Sequence, residues 1–312
     1  MHSMASDSPV MKIRVAMIGC GAVGAIHAAC LARMPGVELA AVYSPDTQDA
    51  SSFAAKYGIS RVCDSIQSAV CDADVAIVCS PSALHFGQAR ECLRAGLHTL
   101  IELPACGSRG EAEELGHEAE QRGVLLGCAH TARYLEPYAM IQSALEAGRI
   151  GEIQAISYVR YPRLRARSWT DNALRHHAAH AIDLINLWCG RIEPVACVAT
   201  PDKAAPQSTS LLAKLPGGGP VSVTVSYEAK LPHSSMEVIG AKHSISTDGF
   251  SYLRSDLEGL YCAGEEQIVY EQGIEKQDAA FIAACYGKSN FVPWADTATL
   301  IDLIDRFEAL CF

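Results

Sequence analysis

The feature that most constrains the fold of this chain is a glycine-rich loop close to its start. The apolar run KIRVAMIG predicts a strand that ends at the first glycine of a G-x-G-x-x-G, and a helix pattern follows over residues 22–34. In such a loop the first glycine permits a tight turn, the second leaves room for a pyrophosphate, and the third lets the helix pack on the strand. Free N–H groups at the helix start then attract negative charge. The alternative is an ordinary glycine turn. The predicted dinucleotide contacts are Gly19, Gly21, Ala22, Val23 and Gly24.

The order of apolar patterns predicts two domains. Up to residue 129, short apolar runs alternate with helix patterns, which indicates a parallel sheet covered on both faces. Beyond residue 130, strand patterns follow one another directly, which is typical of an antiparallel sheet. The predicted class is α/β, with an N-terminal Rossmann doubly wound parallel sheet and a C-terminal α+β domain with a large, mostly antiparallel open sheet. The predicted divisions are a disordered leader (1–11), a dinucleotide-binding Rossmann domain (12–129) and a substrate-binding, catalytic domain (130–312).

Four segments beyond residue 130 matter below. A helix is predicted over residues 173–188, QIVYEQ (267–272) reads as a strand, and two closing helices are predicted near 278–285 and 296–310.

Composition excludes several classes of protein. The net charge of −10 disfavours a general nucleic-acid surface, although a locally basic pocket can still bind a small anion. No apolar run approaches the roughly 18 residues that a bilayer span needs, and the first residues lack the apolar core of a signal peptide. We therefore expect a cytoplasmic protein with neither a membrane nor a nucleic-acid partner.

The 13 cysteines do not predict a metal or disulfide framework. No two lie closer than eight positions, so the chain has no C-x-x-C. Several fall inside apolar runs, such as Cys79 and Cys128, where a thiol packs as a small apolar group. No metal site is predicted.

The end of the second predicted strand bears on the choice between NAD and NADP. An acidic residue there would bind the ribose 2′-hydroxyl, and an arginine would accept a 2′-phosphate. This chain has Tyr43-Ser44-Pro45-Asp46, and Ser44 is compatible with either cofactor. The missing carboxylate gives a slight preference for NADP.

Several motifs together resemble the glucose–fructose oxidoreductase and inositol dehydrogenase (Gfo/Idh/MocA) family. They are GCGAVGAIH, CSPSALH, IELPACGS and HHAAHAIDL, and the resemblance covers the chain beyond residue 11. It implies hydride transfer between a nicotinamide and a hydroxyl or carbonyl carbon, and a homo-oligomer formed through the C-terminal sheet. It also implies further cofactor contacts, with a structural role as the alternative for His85. These contacts are Ser80, Pro81, His85, Glu102, Leu103 and Pro104.

At two positions the chain departs from most members of that family. In these departures it resembles a narrower branch, the 4-carboxy-2-hydroxymuconate-6-semialdehyde dehydrogenases of aromatic catabolism. Most family members have a catalytic lysine where this chain has Leu103, and an aspartate where it has His176. The branch shares an apolar residue before the proline, together with the R-S-W-T-D…H-H-x-x-H run. It oxidises the cyclic hemiacetal of a dicarboxylate semialdehyde.

The predicted catalytic residues lie on the helix over residues 173–188. His176 and His180 share a face at helical spacing, whereas His177 points elsewhere. Imidazoles can exchange protons near neutral pH, so His180 is predicted to take the substrate hydroxyl proton while His176 orients the substrate. A zinc site and satisfied structural histidines are the alternatives.

Arginines near this helix predict an anionic substrate, because a guanidinium binds a carboxylate through two parallel hydrogen bonds. A solvated basic loop is the alternative. The predicted substrate contacts are Arg167, Arg133, Trp169, Arg163, Arg165 and Tyr134, and Arg175 lies beside them.

Three functions are compatible with these features. The first is NAD(P)-dependent oxidation of a hydroxyl or hemiacetal carbon on a carboxylated substrate. The second is a sugar, cyclitol or dihydrodiol dehydrogenase of the same family. The third is a nicotinamide-binding regulator without turnover, since a fold alone does not establish activity.

Overall fold

A computed structural model describes residues 12–162, 172–201 and 205–311 of the chain. Its first sheet is parallel and six-stranded within this described part, with the order β3-β2-β1-β4-β5-β6. The order reverses beside β1, which opens a crevice at the carboxyl ends of β1 and β4, where doubly wound sheets bind dinucleotides. The strands are β1 Ile13–Ile18, β2 Val37–Tyr43, β3 Arg61–Cys63, β4 Val75–Val78, β5 His98–Ile101 and β6 Leu126–Cys128.

Helices connect these strands, and their ends follow local capping chemistry. Ser108 accepts a hydrogen bond from the N–H of Glu111 at the start of α5, and Gly123 ends that helix at φ +64°. Side-chain oxygens at helix starts and glycines in the left-handed region are common helix boundaries. The helices of this part are α1 Ala22–Leu31, α2 Thr47–Tyr57, α3 Ile66–Val70, α4 His85–Arg94 and α5 Arg109–Arg122.

The second sheet is mostly antiparallel, with the order β14-β13-β12-β11-β7-β10-β9-β8 among the described residues. β7 and β10 are paired parallel. Both sheets confirm the predicted fold class. The strands are β7 Ile153–Tyr161, β8 Glu193–Ala199, β9 Ser208–Lys214, β10 Pro220–Ser226, β11 His233–Gly240, β12 Ser244–Thr247, β13 Tyr252–Ser255 and β14 Cys262–Ala263.

Alternation along these strands buries one face of the second sheet against helices α6 (Glu136–Glu146) and α7 (Ala179–Cys189). The opposite face carries small polar and apolar side chains. At its β8–β9 end, Val198 is 71% exposed and Leu212 51% exposed. This exposed end is called the outer β8–β9 face below.

The C-terminal helices differ from the sequence prediction. Residues 267–272, predicted as a strand, belong to α8 (Glu266–Cys285), and α9 spans Trp294–Cys311. The strand prediction was wrong because a β-branched and aromatic window lies inside a longer helix whose buried side chains, such as Ile274 and Phe281, recur at helical spacing. Phe281 and Phe291 pack into the core of the first sheet. The two final helices therefore return to the N-terminal half.

A disulfide joins Cys197 on β8 to Cys311 on α9, with a Cα–Cα distance of 5.0 Å. No disulfide framework was predicted from the sequence, and the separation of 114 positions between these cysteines shows why the pairing could not be recognised. No described helix combines the length and apolarity needed to cross a membrane. Within the described ranges, no group of three or more histidine, cysteine or acidic side chains could hold a metal ion.

Candidate active site

The glycine-rich loop has the geometry that a pyrophosphate requires. Gly21 precedes α1 with extended backbone, and a Cβ added there would meet no described atom within 4 Å. No side chain caps the start of α1, and its first turn carries no acidic residue. The first N–H groups of this ten-residue helix are therefore available to an anion.

The other two loop positions require glycine, because a Cβ there would lie too close to neighbouring atoms. Gly19 has φ +110°, and a Cβ there would lie 2.7 Å from the backbone nitrogen of Ser80. A Cβ on Gly24 would lie 2.9 Å from the sulfur of Cys79. These contacts bring the loop against the end of β4, so the residues fit the dinucleotide that the sequence predicts.

At the end of β2, Ser44 has no acidic or basic neighbour in the chain. Two positions on, Asp46 caps α2 by accepting hydrogen bonds from the N–H groups of Gln48 and Asp49, both at 2.9 Å. Asp49 adds a second carboxylate in the first turn. The environment beside Ser44 is therefore negative.

The segments after β4 and β5 are joined by His85. Its ring nitrogens lie 2.8 Å from the carbonyl oxygens of Pro104 and Ser80, and the residue is 2% exposed. This burial corrects the predicted cofactor contact, because the ring clamps two backbone segments instead of facing a ligand. Leu103, 6% exposed, likewise packs into the core. For Ser80, Pro81, Glu102 and Pro104, cofactor contact stays a prediction.

The predicted catalytic histidines lie at the start of α7, where the helix is widened. Residues Leu174–Ala178 form a π-helix, with the N–H of Ala178 donating to the carbonyl of Ala173 at 3.0 Å. Such widened turns frequently occur at functional sites. The ring centroids of His176 and His180 lie 6.3 Å apart, so the structure brings the predicted pair together.

The surroundings of His180 favour its neutral form. Burial and the neighbouring His176 lower the pKa of His180 to about 4. Its Nδ1 atom is buried and has no hydrogen-bond partner among the described residues. The ring is therefore a neutral base at physiological pH.

His177 belongs to the same cluster, which corrects the prediction that it points elsewhere. Its ring centroid lies 4.3 Å from that of His176 and 6.4 Å from that of His180. The hydroxyl of buried Tyr227 lies 3.1 Å from Nδ1 of His176 and 2.8 Å from Nδ1 of His177. The π-turn moves consecutive side chains closer together than an α-helix would. Tyr227, directly after β10, was not predicted from the sequence.

Two family models match most of this chain. Residues 13–130 match the Gfo/Idh/MocA model described as an oxidoreductase family with an NAD-binding Rossmann fold, and residues 138–246 match that family's C-terminal domain. The chain belongs to the Gfo/Idh/MocA oxidoreductase family. It is accordingly an NAD(P)-dependent oxidoreductase.

Named relatives of this Gfo/Idh/MocA protein act on different substrates. A 4-carboxy-2-hydroxymuconate-6-semialdehyde dehydrogenase of Sphingobium sp. is 28% identical over 291 residues, which cover 87% of this chain and 90% of the relative. An inositol 2-dehydrogenase of Rhizobium meliloti is 22% identical and covers 91% and 92%. An enzyme of gentamicin A biosynthesis, solved in complex with NAD, has TM-score 0.84 at 20% identity and covers 99% and 97%.

Arg133 of this family member does not have the environment of a substrate ligand. Its guanidinium donates to both oxygens of Asp183, at 2.6 and 2.8 Å, and to Asp296 at 2.8 Å. Burial by itself would raise the pKa of the Asp183 carboxyl. His130 and Arg133 outweigh that effect and hold this pKa well below its usual range. The predicted substrate role is corrected: two carboxylates of the chain occupy the guanidinium that a substrate would need.

The other predicted substrate residues divide into two groups. Arg175 binds Asp305 and Glu308 on α9, and the ring of Tyr134 stacks on Phe291 with centroids 6.5 Å apart. Both therefore make internal contacts. The remaining four, Arg163, Arg165, Arg167 and Trp169, lie outside the described residues.

The sequence analysis missed a buried ionic cluster beneath the cofactor loop. His27, on α1, is 0% exposed and contacts Asp278 on α8 through Nδ1 and Glu102 through Nε2. The H of GCGAVGAIH lies on a helix whose other residues are mostly apolar, and that contrast was the available signal. Its partner Asp278 is 251 residues away.

A cavity of about 370 Å³ lies at the opposite end of α7, lined by Trp188, Cys189 and Pro216 among others. It contains none of the predicted site residues. The histidine cluster and the strand ends, rather than this cavity, define the candidate active site.

Proposed function

We propose that this enzyme oxidises a hydroxyl or cyclic hemiacetal carbon of a carboxylated substrate with NAD(P), in a reaction similar to that of the Sphingobium semialdehyde dehydrogenase. The observation that carries the proposal is His180, a half-buried, neutral imidazole whose buried Nδ1 has no hydrogen-bond partner among the described residues. The match to that relative over 87% of the chain supports the substrate class. A cytoplasmic location is part of the proposal.

In this mechanism His180 receives the proton of the substrate hydroxyl. Bound NAD(P)⁺ supplies the hydride acceptor. As hydride leaves, positive charge develops on the substrate carbon, and removal of the O–H proton offsets it. Glu102 is a neighbouring anion that favours the imidazolium form of His180. The contact between His176 and Tyr227 positions the histidine cluster. Leu103 has no group that can exchange a proton.

The carboxylate of the substrate requires a cation that is not already paired. Arg133 and Arg175 are bound to internal carboxylates. The sequence RLRARSWTD over residues 163–171 supplies three more arginines shortly before the histidines. We propose that Arg163, Arg165, Arg167 and Trp169 form the carboxylate-binding part of the site, because arginine binds a carboxylate through two parallel bonds.

The test is reduction of NAD⁺ and NADP⁺, followed by absorbance, with the muconate semialdehyde and with a panel of cyclitols and aldoses. Turnover on the semialdehyde that is much weaker in Arg167→Lys supports the proposal. Turnover restricted to polyols would contradict it and would favour the second candidate, a cyclitol dehydrogenase, for which the inositol 2-dehydrogenase relative speaks.

We propose that NAD is preferred over NADP, opposite to the slight preference derived from the missing carboxylate. The charges of Asp46 and Asp49 beside Ser44 would repel a 2′-phosphate. Asp46→Asn keeps a capping oxygen but removes one charge, so we expect its NADP⁺ Kd to fall by about tenfold and its NAD⁺ Kd to change little. Titration calorimetry with both cofactors measures this, and equal changes for both would refute the assignment.

We also propose a homo-oligomer through the outer β8–β9 face. Val198 and Leu212 are exposed apolar side chains in diagonal positions on neighbouring strands of that face, opposite Ser210 and Ala196 respectively. A sheet that buries only one face can bury the other against a second copy. We expect Val198→Lys combined with Leu212→Lys to reduce the particle mass measured by light scattering. An unchanged mass would remove this face as the interface.

A further inference from the structure

One imidazole in this chain joins two buried carboxylates. Nδ1 of His27 lies 2.9 and 2.8 Å from the two oxygens of Asp278, and Nε2 lies 2.9 Å from Oε1 of Glu102. The side chains of His27 and Asp278 are fully buried, and that of Glu102 is 15% exposed. Both ring nitrogens face carboxylate oxygens, so both must carry a hydrogen for these contacts to be hydrogen bonds.

The electrostatics agree with an imidazolium. Burial lowers the pKa of His27, but Asp278 and Glu102 outweigh it and raise the value to about 10. Burial similarly opposes the charge of Glu102, yet the bond from His27 lowers the pKa of that carboxyl. The nearby thiols of Cys30 and Cys79 add no charge, because burial raises the pKa of each. Burial raises the pKa of Asp278, although the charge and the hydrogen bond of His27 oppose that rise. With His27 protonated and both carboxyls ionised, the cluster carries one negative charge.

Glu102 is the member of the cluster that can reach a ligand. It directly follows β5, at the carboxyl end of the parallel sheet. In a doubly wound sheet the dinucleotide crosses the crevice between the two halves, and its two ends lie over opposite halves. The glycine-rich loop after β1 fixes the pyrophosphate, so one end of the dinucleotide extends over β4 and β5. Oε2 of Glu102 makes no hydrogen bond within the described part of the chain, and the side chain is 15% exposed, so this oxygen is available to a ligand.

His180 identifies which end of the dinucleotide this is. Its ring lies close enough to Glu102 to affect the charge state of that carboxyl, and His180 is the candidate base at the reacting carbon. The nicotinamide must lie near that carbon for hydride transfer, so Glu102 lies at the nicotinamide end of the crevice.

We propose that the Asp278–His27–Glu102 cluster holds a fixed carboxylate against the nicotinamide, so that the enzyme binds the cationic, oxidised cofactor more tightly than the neutral, reduced one. His27 and Asp278 are positioning residues, because they act through Glu102. The proposed preference for the oxidised cofactor concerns cofactor binding alone and does not depend on which substrate the enzyme oxidises.

The test is equilibrium binding of NAD⁺ and NADH, without substrate, from pH 6 to 9. For Glu102→Gln, which keeps the hydrogen bond from His27 but removes the charge, we expect the ratio Kd(NAD⁺)/Kd(NADH) to rise about tenfold at every pH. The control is Glu120→Gln, an exposed carboxylate on α5, which should leave the ratio unchanged.

A second variant tests whether His27 and Asp278 act through the charge of Glu102 or only support the fold. In His27→Gln combined with Asp278→Asn, Glu102 loses the cation that keeps it ionised, so its pKa rises. The ratio should then be pH-dependent, high at pH 6 and returning towards the wild-type value by pH 9. The proposal is overturned if Glu102→Gln leaves the ratio within about twofold of wild type, if that variant binds neither form, or if the double variant shows a pH-independent ratio.

Discussion

Replacing His180 with asparagine is expected to lower kcat/KM by about 10³-fold, since general base catalysis contributes roughly 10²–10⁴. The asparagine amide is similar in polarity but cannot accept the proton. Because His180 lies on α7 and not in the cofactor loop, Kd for NAD⁺ should stay near the wild-type value. Steady-state kinetics and a cofactor titration on the same preparation measure both quantities.

The pH profile provides an independent check on the same residue. His180 must be neutral to act, and burial together with His176 lowers its pKa to about 4. The wild-type rate should therefore be constant from neutral pH down to about 5 and fall below that, as the ring is protonated. His117→Asn, an exposed histidine on α5, is the matched control and should retain full activity. Retention of more than a tenth of wild-type kcat/KM in His180→Asn would identify a different base.

The second large effect concerns stability. His27→Gln should lower the free energy of unfolding by about 3–5 kcal/mol near neutral pH, because it leaves the buried Asp278 carboxylate without its cation. Urea denaturation followed by circular dichroism measures the loss. Adding Asp278→Asn to this variant removes the stranded charge and should recover part of it.

The same pair predicts how stability depends on pH. The folded-state pKa of His27, about 10, is higher than the 6.5 of a free histidine. Its contribution is therefore fully present below pH 6.5, declines as pH rises, and is lost through pH 10. Relative to the double variant, wild type should lose roughly 1 kcal/mol per pH unit over that window. A constant difference would show that His27 is not charged in the folded state.

Local signals explain which elements of the fold could be predicted. The bounds of α5, residues 109–122, are of the kind that a sequence can indicate, because Ser108 and Gly123 cap both ends. β3 and α3 escaped prediction, since three and five residues are too short to show a period. α8 was divided wrongly because its first turns carry residues typical of strands, and only packing on α1 decides the outcome.

The candidate site could be predicted where its residues lie close together in sequence. His176 and His180 are four positions apart, and helical spacing brings them together even though the turn is a π-helix. The partners of Arg133 are 50 and 163 positions away, so their occupation of its guanidinium could not be recognised from local sequence. Asp278 is likewise far from His27 in sequence, so this pair could not be recognised from local sequence either. Long-range pairing of charges depends on topology, which a local pattern does not contain.

The return of α8 and α9 to the first sheet limits how this protein can be recombined. An N-terminal fragment ending near residue 129 would lack Phe281 and Phe291, which fill the core beside β6. In such a fragment His27 would also lose its buried partner Asp278. The nucleotide-binding half is therefore not an interchangeable module in the sense of a continuous piece of chain. A chimera that uses it in another enzyme would also need the 46 residues 266–311 from the same parent.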